Sequence, residues 1–514
     1  MYNISMTDIY TSLYGFMRAY RAKGDSVALV RGNAKMRFDK LFSEIDKVAA
    51  GLVRLGVGRG DCVMLCLPNI FQAVVAVYAV SRIGAVASMI HPKLAPDEFA
   101  RAVEFQNPKV VFLSDINVFE FSKKCKGIKK VICPFLSYSY LGLPAVFGKP
   151  EFEPYDGNGE EAMFYMQSGG TTGASKTIML SSRAVNAMAR NLLVRLDDKF
   201  GERNAMLTVM PMFHGFGLCI GVHASLCTNM RAVLMPKFNA KAATKAIAKN
   251  GITTVLAVPR MVAKLLAYEG FAGENIKTIE DVYVGGDAVS DELVAEFDKR
   301  MSECGSRARL SPGYGLTETV TVCALSHPDF VKGAVGKPIE FVECKVVDDE
   351  LLELPLGEVG ELLVSSEQTM NGYLKDEAAT KEVLVEIDGR IWVRTGDLFS
   401  MDADGNLYFK GRKKRLIKIS GMNVFPSEIE RVARELDFVK ECVAIQFDIG
   451  GKPYIKLLVE GELSEAQKEA VIDRISKKLS HWNTPKRIEC VAEFPRTKVG
   501  KIDIVRLSYE HSKN

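Results

Sequence analysis

Residues 167–176 read Gln-Ser-Gly-Gly-Thr-Thr-Gly-Ala-Ser-Lys. Three glycines, the hydroxyls of Ser168, Thr171, Thr172 and Ser175, and the ammonium of Lys176 crowd into ten positions with almost no apolar content. Apolar Phe164–Met166 before the stretch reads as a strand, and Ser181–Leu193 after it as a helix. Strand, glycine-rich loop and helix make a setting for holding an anion. Backbone N–H groups and hydroxyls point at phosphate oxygens, and glycine lets the backbone come close. A kinase-type P-loop places glycine immediately before its lysine. Here Ser175 precedes Lys176 and Gly173 lies three positions back, so the ordinary P-loop reading is disfavoured.

The elements that carry this loop follow from hydrophobic patterning. Residues 38–56 space apolar groups as a helix and stop at Gly56, and Cys62–Leu67 is a short apolar strand. Asn69–Ser81 is a helix, Ala85–Ile90 a strand, Pro96–Val103 a helix and Lys109–Leu113 a strand. The alternation returns from Ala232 to Val284, where a strand ends in Gly285-Gly286. It predicts parallel sheets covered by helices. From about residue 340, short β segments between Gly, Asp and Asn turns suggest a small barrel-like part. After Gly411-Arg412 an α+β unit begins, so the predicted domains are 1–411 and 412–514.

With 514 residues the chain exceeds one compact core. A net charge of +4 gives no reason to expect nucleic acid. The 11 cysteines are scattered without a CxxC pair, so they read as buried reduced thiols in a reducing, cytoplasmic compartment. No signal peptide is visible, and the most apolar stretch, residues 71–90, is broken by Ser81-Arg82 and Gly84, so no membrane span is expected.

Further segments occur in a fixed order: Pro211-Met-Phe-His-Gly-Phe-Gly217, Gly285-Gly-Asp-Ala288, Gly313-Tyr-Gly-Leu-Thr-Glu318, Thr395-Gly-Asp397, Gly411-Arg412, Lys418-Ile-Ser-Gly421 and Pro495-Arg-Thr-Lys-Val-Gly-Lys501. Together with the loop at 167–176 they resemble the adenylate-forming superfamily, which includes acyl-CoA synthetases. The resemblance runs from about Phe38 to Leu507. It implies an α/β fold with a large N-terminal domain and a small mobile C-terminal one. The implied reaction has two halves. A carboxylate attacks the α-phosphorus of ATP and expels pyrophosphate. The thiol of coenzyme A then attacks the acyl carbon and expels AMP.

The resemblance assigns roles residue by residue. Ser168, Gly169, Gly170, Thr171, Thr172, Gly173 and Lys176 would hold the β- and γ-phosphates. Glu318 and Thr172 would be the Mg²⁺ ligands, and Thr317 would reach the α-phosphate. Tyr314 and Gly315, with Gly286, Asp287 and Ala288, would surround the adenine. Asp397 would accept the ribose hydroxyls, with Arg412 beside it. Lys501 would bridge the carboxylate and the α-phosphate, and its acetylation would silence the enzyme. Lys414 takes the hinge position. Lys418, Ser420 and Gly421 would line the thiol tunnel with Gly285. His214 would lie between the carboxylate and the phosphates.

Phe213, Phe216, Leu218, Val284, Gly315, Leu316 and Val322 would line the acyl pocket. Amino-acid adenylating relatives carry an Asp just after the Phe, to pair with the ammonium. Position 214 carries His instead. Gly315 stands where acetate-specific relatives place a Trp. A medium- or long-chain fatty acid or an aryl acid is therefore expected. Rival readings are an acyl-AMP ligase loading a free acyl carrier protein and a non-catalytic nucleotide-binding module. No fused carrier domain is expected after Lys501, and a monomer or homodimer is.

Overall fold

The apolar runs form short parallel strands. Cys62–Cys66, Val86–Met89, Val110–Leu113 and Thr254–Ala257 are buried along their whole length, as strands sandwiched between helices must be. A computed structural model describes residues 9–20, 26–114, 121, 123–124, 130–132, 151–168, 176–196, 203–326, 330–419, 422–450, 452–496 and 502–512.

Packing divides the described residues into two units. One holds residues up to Ser168, 176–344 and 364–393; the other holds 345–363 and those from 394 on. The boundary expected at residue 411 therefore falls inside the second unit. The reason is a ladder: Asp397 pairs with Arg412 and Met401 with Leu407, which ties Leu407–Arg412 to the segment before it.

The first unit contains two large sheets. In one, Lys130–Ile132, Val110–Leu113, Cys62–Cys66, Val86–Met89 and Ala162–Gln167 run parallel in that order. It then turns antiparallel, through Thr177–Ser181 and Gly372–Tyr373. In the other, Val27–Arg31, Arg231–Leu234, Ala205–Thr208, Thr254–Ala257, Asp281–Val284 and Arg309–Tyr314 run parallel. It too ends antiparallel, through Ala324–Leu325 and Lys337–Pro338.

Helices cover the second sheet because their ends and faces are specified locally. Ala240–Asn250 starts at Asn239, whose side chain accepts from Ala242 N, and stops at Gly251 in the left-handed region. Asp291–Glu303 starts at Ser290, with Asp291 and Glu292 set against the positive end of the helix dipole. With Pro259–Leu266 they bury Ile247, Val262, Leu265 and Phe297 against Val255, Val282, Val284 and Leu310 of the sheet.

The second unit ends in the expected α+β fold. Cys442–Ile449 pairs antiparallel with Lys452–Glu460, which pairs parallel with Arg487–Val491. Pro426–Ala433 and Glu465–Lys478 pack Ile429, Val432, Val471 and Ile475 into its core. No helix among the described residues is long and apolar enough to cross a membrane.

Candidate active site

The glycine-rich loop joins two antiparallel strands, with Gln167 opposite Thr177. This corrects the expected strand–loop–helix order. Thr177–Ser181 intervenes, and the helix starts only at Ser182. The helix N-terminus is therefore capped by Ser181, which accepts from Ala184 N, rather than by whatever the loop holds. The hairpin closes at its mouth. Ser168 N donates to Lys176 O at 2.8 Å, and Lys176 N donates to Ser168 Oγ at 3.0 Å. Gly169, Gly170, Thr171, Thr172 and Gly173 lie outside the described residues, as do Ser420, Gly421 and Lys501.

Lys176 meets Glu318 through a residue not singled out in the sequence. The Tyr373 hydroxyl donates to Glu318 Oε1 at 2.9 Å, and Lys176 Nζ lies 4.5 Å from the centre of the Tyr373 ring. Burial, and then the Glu318 charge, push the Tyr373 phenol well above its ordinary pKa, so it stays a donor. Tyr373 follows Asn371-Gly372, a pair that signals only a turn, and it lies 55 residues from Glu318. Nothing in its spacing pointed to this contact.

The Gly313–Glu318 segment leaves its strand at Tyr314, makes one tight turn at Thr317–Thr319, and reverses at Val320. Val320 has φ +66° and ψ −56°, and Thr321 N donates to Thr319 O at 2.7 Å. That is a γ-turn of the positive-φ kind, which is strained for a β-branched residue. A Cβ on Gly315 would stand 1.4 Å from Thr321 O, so glycine is required there by the loop itself. A Cβ on Gly215 would stand 2.0 Å from Val320 O, which places the Phe213-His214-Gly215 segment against this turn.

The His214 segment is held by Asn69, also missed in the sequence. Asn69 is buried, its Nδ2 donates to Thr208 O and Met210 O, and its Oδ1 accepts from Met212 N. Phe213 packs between His91 and His214, with ring centres 4.4 and 4.7 Å away. Phe216–Ala224 then forms a π-helix that carries Phe216 and Leu218. Such wide turns recur at functional sites.

Val284 proves to be a core residue, packed with the helix-covered face of its strand. Strand alternation puts Tyr283 on the other face, beside Leu256. Leu256 approaches Gly221 of the π-helix. Tyr283 is thus the member of this strand on the π-helix side, where Val284 was expected. Leu316 and Tyr314 are half-buried, Val322 is buried, and Gly286, Asp287 and Ala288 are exposed. Gly286, at φ +83°, takes a backbone conformation that glycine permits.

In the second unit the two residues expected at the ribose touch each other. Arg412 Nε lies 3.0 Å from the Asp397 carboxylate, which is 1% exposed. The turn beneath is built by Glu361. Its Oε1 accepts from Gly396 N at 3.2 Å, and its Oε2 pairs with Arg394 at 2.7 Å and Lys413 at 2.9 Å. Burial pushes the Glu361 carboxyl up, yet Arg394 and Lys413 together hold it below its usual range. Lys414 and Lys418 are exposed. Lys413 is tied back to Glu361 and Asp349, while Arg415 is tied forward to Glu430. Lys414 stands between those two anchors.

A family model described as "AMP-binding enzyme" matches residues 16–374. The chain belongs to this family. It is 30% identical over 492 residues to 4-coumarate–CoA ligase 5 of Oryza sativa subsp. japonica, covering 90% of this chain and 87% of that one. It is 28% identical over 550 residues to a long-chain-fatty-acid–CoA ligase of Escherichia coli O6:H1, covering 96% and 94%. Its fold matches the crystal structure of ATP-bound MatB from Rhodopseudomonas palustris with a TM-score of 0.88 at 22% identity, over 98% and 99% of the two chains. This AMP-binding enzyme is an acid–thiol ligase, of the adenylate-forming acyl- or aryl-CoA ligase family.

Proposed function

We propose that this enzyme joins a medium- or long-chain fatty acid or an aryl acid to coenzyme A through an acyl-adenylate. The observation that carries this reading is the trio of Lys176, Tyr373 and Glu318 at the mouth of the glycine-rich loop. One cation and one carboxylate are held there by the same tyrosine, one at its ring and one at its hydroxyl, which suits a polyphosphate that travels with a divalent metal. Among the described residues no cluster of three His, Cys, Asp or Glu side chains forms a complete metal site. A lone carboxylate fits Mg²⁺ that is shared with ATP phosphates, since Mg²⁺ takes one or two carboxylates and leaves its other positions to phosphate and water. Bound there, the metal would neutralise charge on the phosphates.

The protein's own residues do the positioning. Lys176 and the loop hydroxyls bind the β- and γ-phosphates. Gly286, Asp287, Ala288 and Tyr314 hold the adenine, and Asp397 and Arg412 the ribose. Lys501 draws the carboxylate oxygen and the α-phosphorus together and offsets their negative charge. Pyrophosphate then leaves, and the CoA thiol takes the acyl carbon while AMP departs. His214, half-buried against Phe213, steers the incoming carboxylate. Phe213, Phe216, Leu218 and Tyr283 supply apolar walls and no carboxylate for an ammonium partner. The two curated relatives named above act on an aryl acid and a fatty acid, which supports the same substrate range. The nine cysteines among the described residues carry reduced thiols, and we read the setting as reducing and cytoplasmic.

Pyrophosphate release over a panel of acids, with and without CoA, tests the proposal. Octanoate, dodecanoate, cinnamate or benzoate should each give more release than acetate, and a thioester should appear only with CoA. Preference for acetate overturns the substrate range. Thioester formed on a carrier protein but not on CoA overturns the acceptor.

A further inference from the structure

Three backbone and side-chain ties bind the segment 366–373 to the Glu318 turn. Met370 N donates to Glu318 O at 2.9 Å, Gln368 Nε2 donates to Val322 O at 2.7 Å, and the Tyr373 hydroxyl donates to Glu318 Oε1 at 2.9 Å. The same segment is a strand on the glycine-rich hairpin. Asn371 N donates to Met179 O and Leu374 N to Thr177 O, both at 2.8 Å. Tyr373 N donates to Thr380 Oγ1 at 2.9 Å, and Thr380 Oγ1 donates to Asp376 O at 2.8 Å. Tyr373 is thus fixed at its backbone, buried at its ring and committed at its hydroxyl.

Lys176 Nζ lies over the face of the Tyr373 ring and Glu318 Oε1 on its hydroxyl, and no ion pair among the described residues joins the two. A direct ion pair is the competing arrangement for two opposite charges held by one residue. A direct pair would occupy the ammonium that a phosphate needs and the oxygens that a metal needs. The ring of Tyr373 takes the ammonium on its face instead. Its hydroxyl takes one carboxylate oxygen and leaves Oε2 for another partner.

We propose that Tyr373 is a positioning residue that keeps Lys176 and Glu318 apart and aimed, so that one receives phosphate and the other receives the metal that accompanies it. The inference rests on the reading of Glu318 as a metal ligand and Lys176 as a phosphate ligand. It adds a residue that touches neither ATP nor acid. Losing the hydroxyl frees the carboxylate to turn toward Lys176, and the Phe ring keeps the ammonium contact.

The test compares Tyr373→Phe with wild type and with Glu318→Gln, in the full-length enzyme. Binding of Mn²⁺ in the presence of ATP, followed by the loss of the free-ion electron paramagnetic resonance signal, is the first readout. The Mg²⁺ concentration giving half-maximal pyrophosphate release is the second. A hydrogen bond to a charged group predicts about tenfold weaker metal binding and about a tenfold higher Mg²⁺ requirement in Tyr373→Phe. KM for the acid should stay within twofold. Thermal unfolding of the ligand-free variant should match wild type within a few degrees, since the ring and backbone ties remain. Wild-type metal binding in Tyr373→Phe, alongside lost binding in Glu318→Gln, overturns the positioning role and leaves the metal assignment standing. Wild-type metal binding in Glu318→Gln overturns the metal assignment and the inference built on it. A Tyr373→Phe variant that loses acid and metal affinity equally, with a depressed unfolding temperature, shows a packing role and also overturns it.

Discussion

Gly315 shows how a single residue type can carry two requirements. From the sequence it reads as space left open in an acyl pocket. In the fold it is also the point where the backbone passes so close to Thr321 O that no side chain fits. The next residues repay that closeness: Val320 takes a strained positive φ, and its carbonyl packs on Gly215. Strain of this kind costs on the order of 1–3 kcal/mol per residue and survives only where its surroundings enforce it. Gly315→Ala should therefore lower the unfolding temperature by several degrees and slow pyrophosphate release with every acid tested, long or short. A pocket-narrowing role alone would spare butyrate while penalising dodecanoate. Comparing kcat/KM for the two acids in wild type and variant separates these outcomes. Lys176 and Glu318 were legible as residues because a lysine closing a glycine-rich stretch and a carboxylate after Gly-Tyr-Gly-Leu-Thr stand out in a sequence. Tyr373 was not, because its partner is distant in sequence and its chemistry is a single hydroxyl.

At the level of elements, the parallel strands were legible because strands buried on both faces are continuous apolar runs, as in Cys62–Cys66. What escaped were the places where each parallel sheet turns antiparallel. Thr177–Ser181 looked like the approach to a helix, and Gly372–Tyr373 is too short to show any periodicity. Both places matter, since the glycine-rich loop and the Glu318 turn are the reversals of the two sheets. The π-helix Phe216–Ala224 also escaped, because its composition is that of any buried helix. It carries His223, whose Nδ1 accepts from the Tyr78 hydroxyl at 2.9 Å and whose Nε2 donates to Asn186 Oδ1 at 3.1 Å. The helices of Tyr78 and Asn186 meet the π-helix at this imidazole, and Phe16 of the helix Leu13–Tyr20 packs on it. Burial pushes its pKa down to about 3 from 6.5. Between those values the unfolded chain takes up a proton that the folded chain refuses. Stability is therefore full above about pH 6.5 and falls as pH drops toward 3, by up to about 1.4 kcal/mol for each pH unit. His223→Gln should be less stable than wild type at pH 7, and the gap should narrow by pH 5. Thermal unfolding midpoints of both proteins across that range check it. A gap that stays constant would mean that His223 takes up its proton as readily in the fold as in the unfolded chain.

Across the whole molecule, the order of the motifs was legible and the division of the chain was not. Sequence composition changes at Gly411-Arg412, but the ladder of Leu407–Arg412 on Asp397–Met401 keeps that segment with what precedes it. The pivot proposed at Lys414 falls on the short turn Lys413–Arg415. Lys413 is bound back to Asp349 and Glu361, Arg415 is bound forward to Glu430 of the helix Pro426–Ala433, and exposed Lys414 lies between. A rotation about Lys414 keeps the anchors of Lys413 and Arg415 and must release the contacts of Lys410 with Ser427 and Glu428. Such a rotation would let the C-terminal residues serve two reactions in turn, with Lys501 in the first and Lys418 in the second. Lys501→Ala should then cut acyl-adenylate formation by about 10²–10³-fold, the usual loss when one oriented charge partner is removed. It should leave thioester formation from supplied acyl-adenylate within about threefold of wild type. Lys418→Ala should show the reverse pattern, and Lys414→Pro, which stiffens the pivot, should slow the overall reaction more than either half measured alone. Single-turnover assays of each half-reaction decide the matter. Equal damage to both halves from Lys501→Ala and Lys418→Ala would leave no place for alternation.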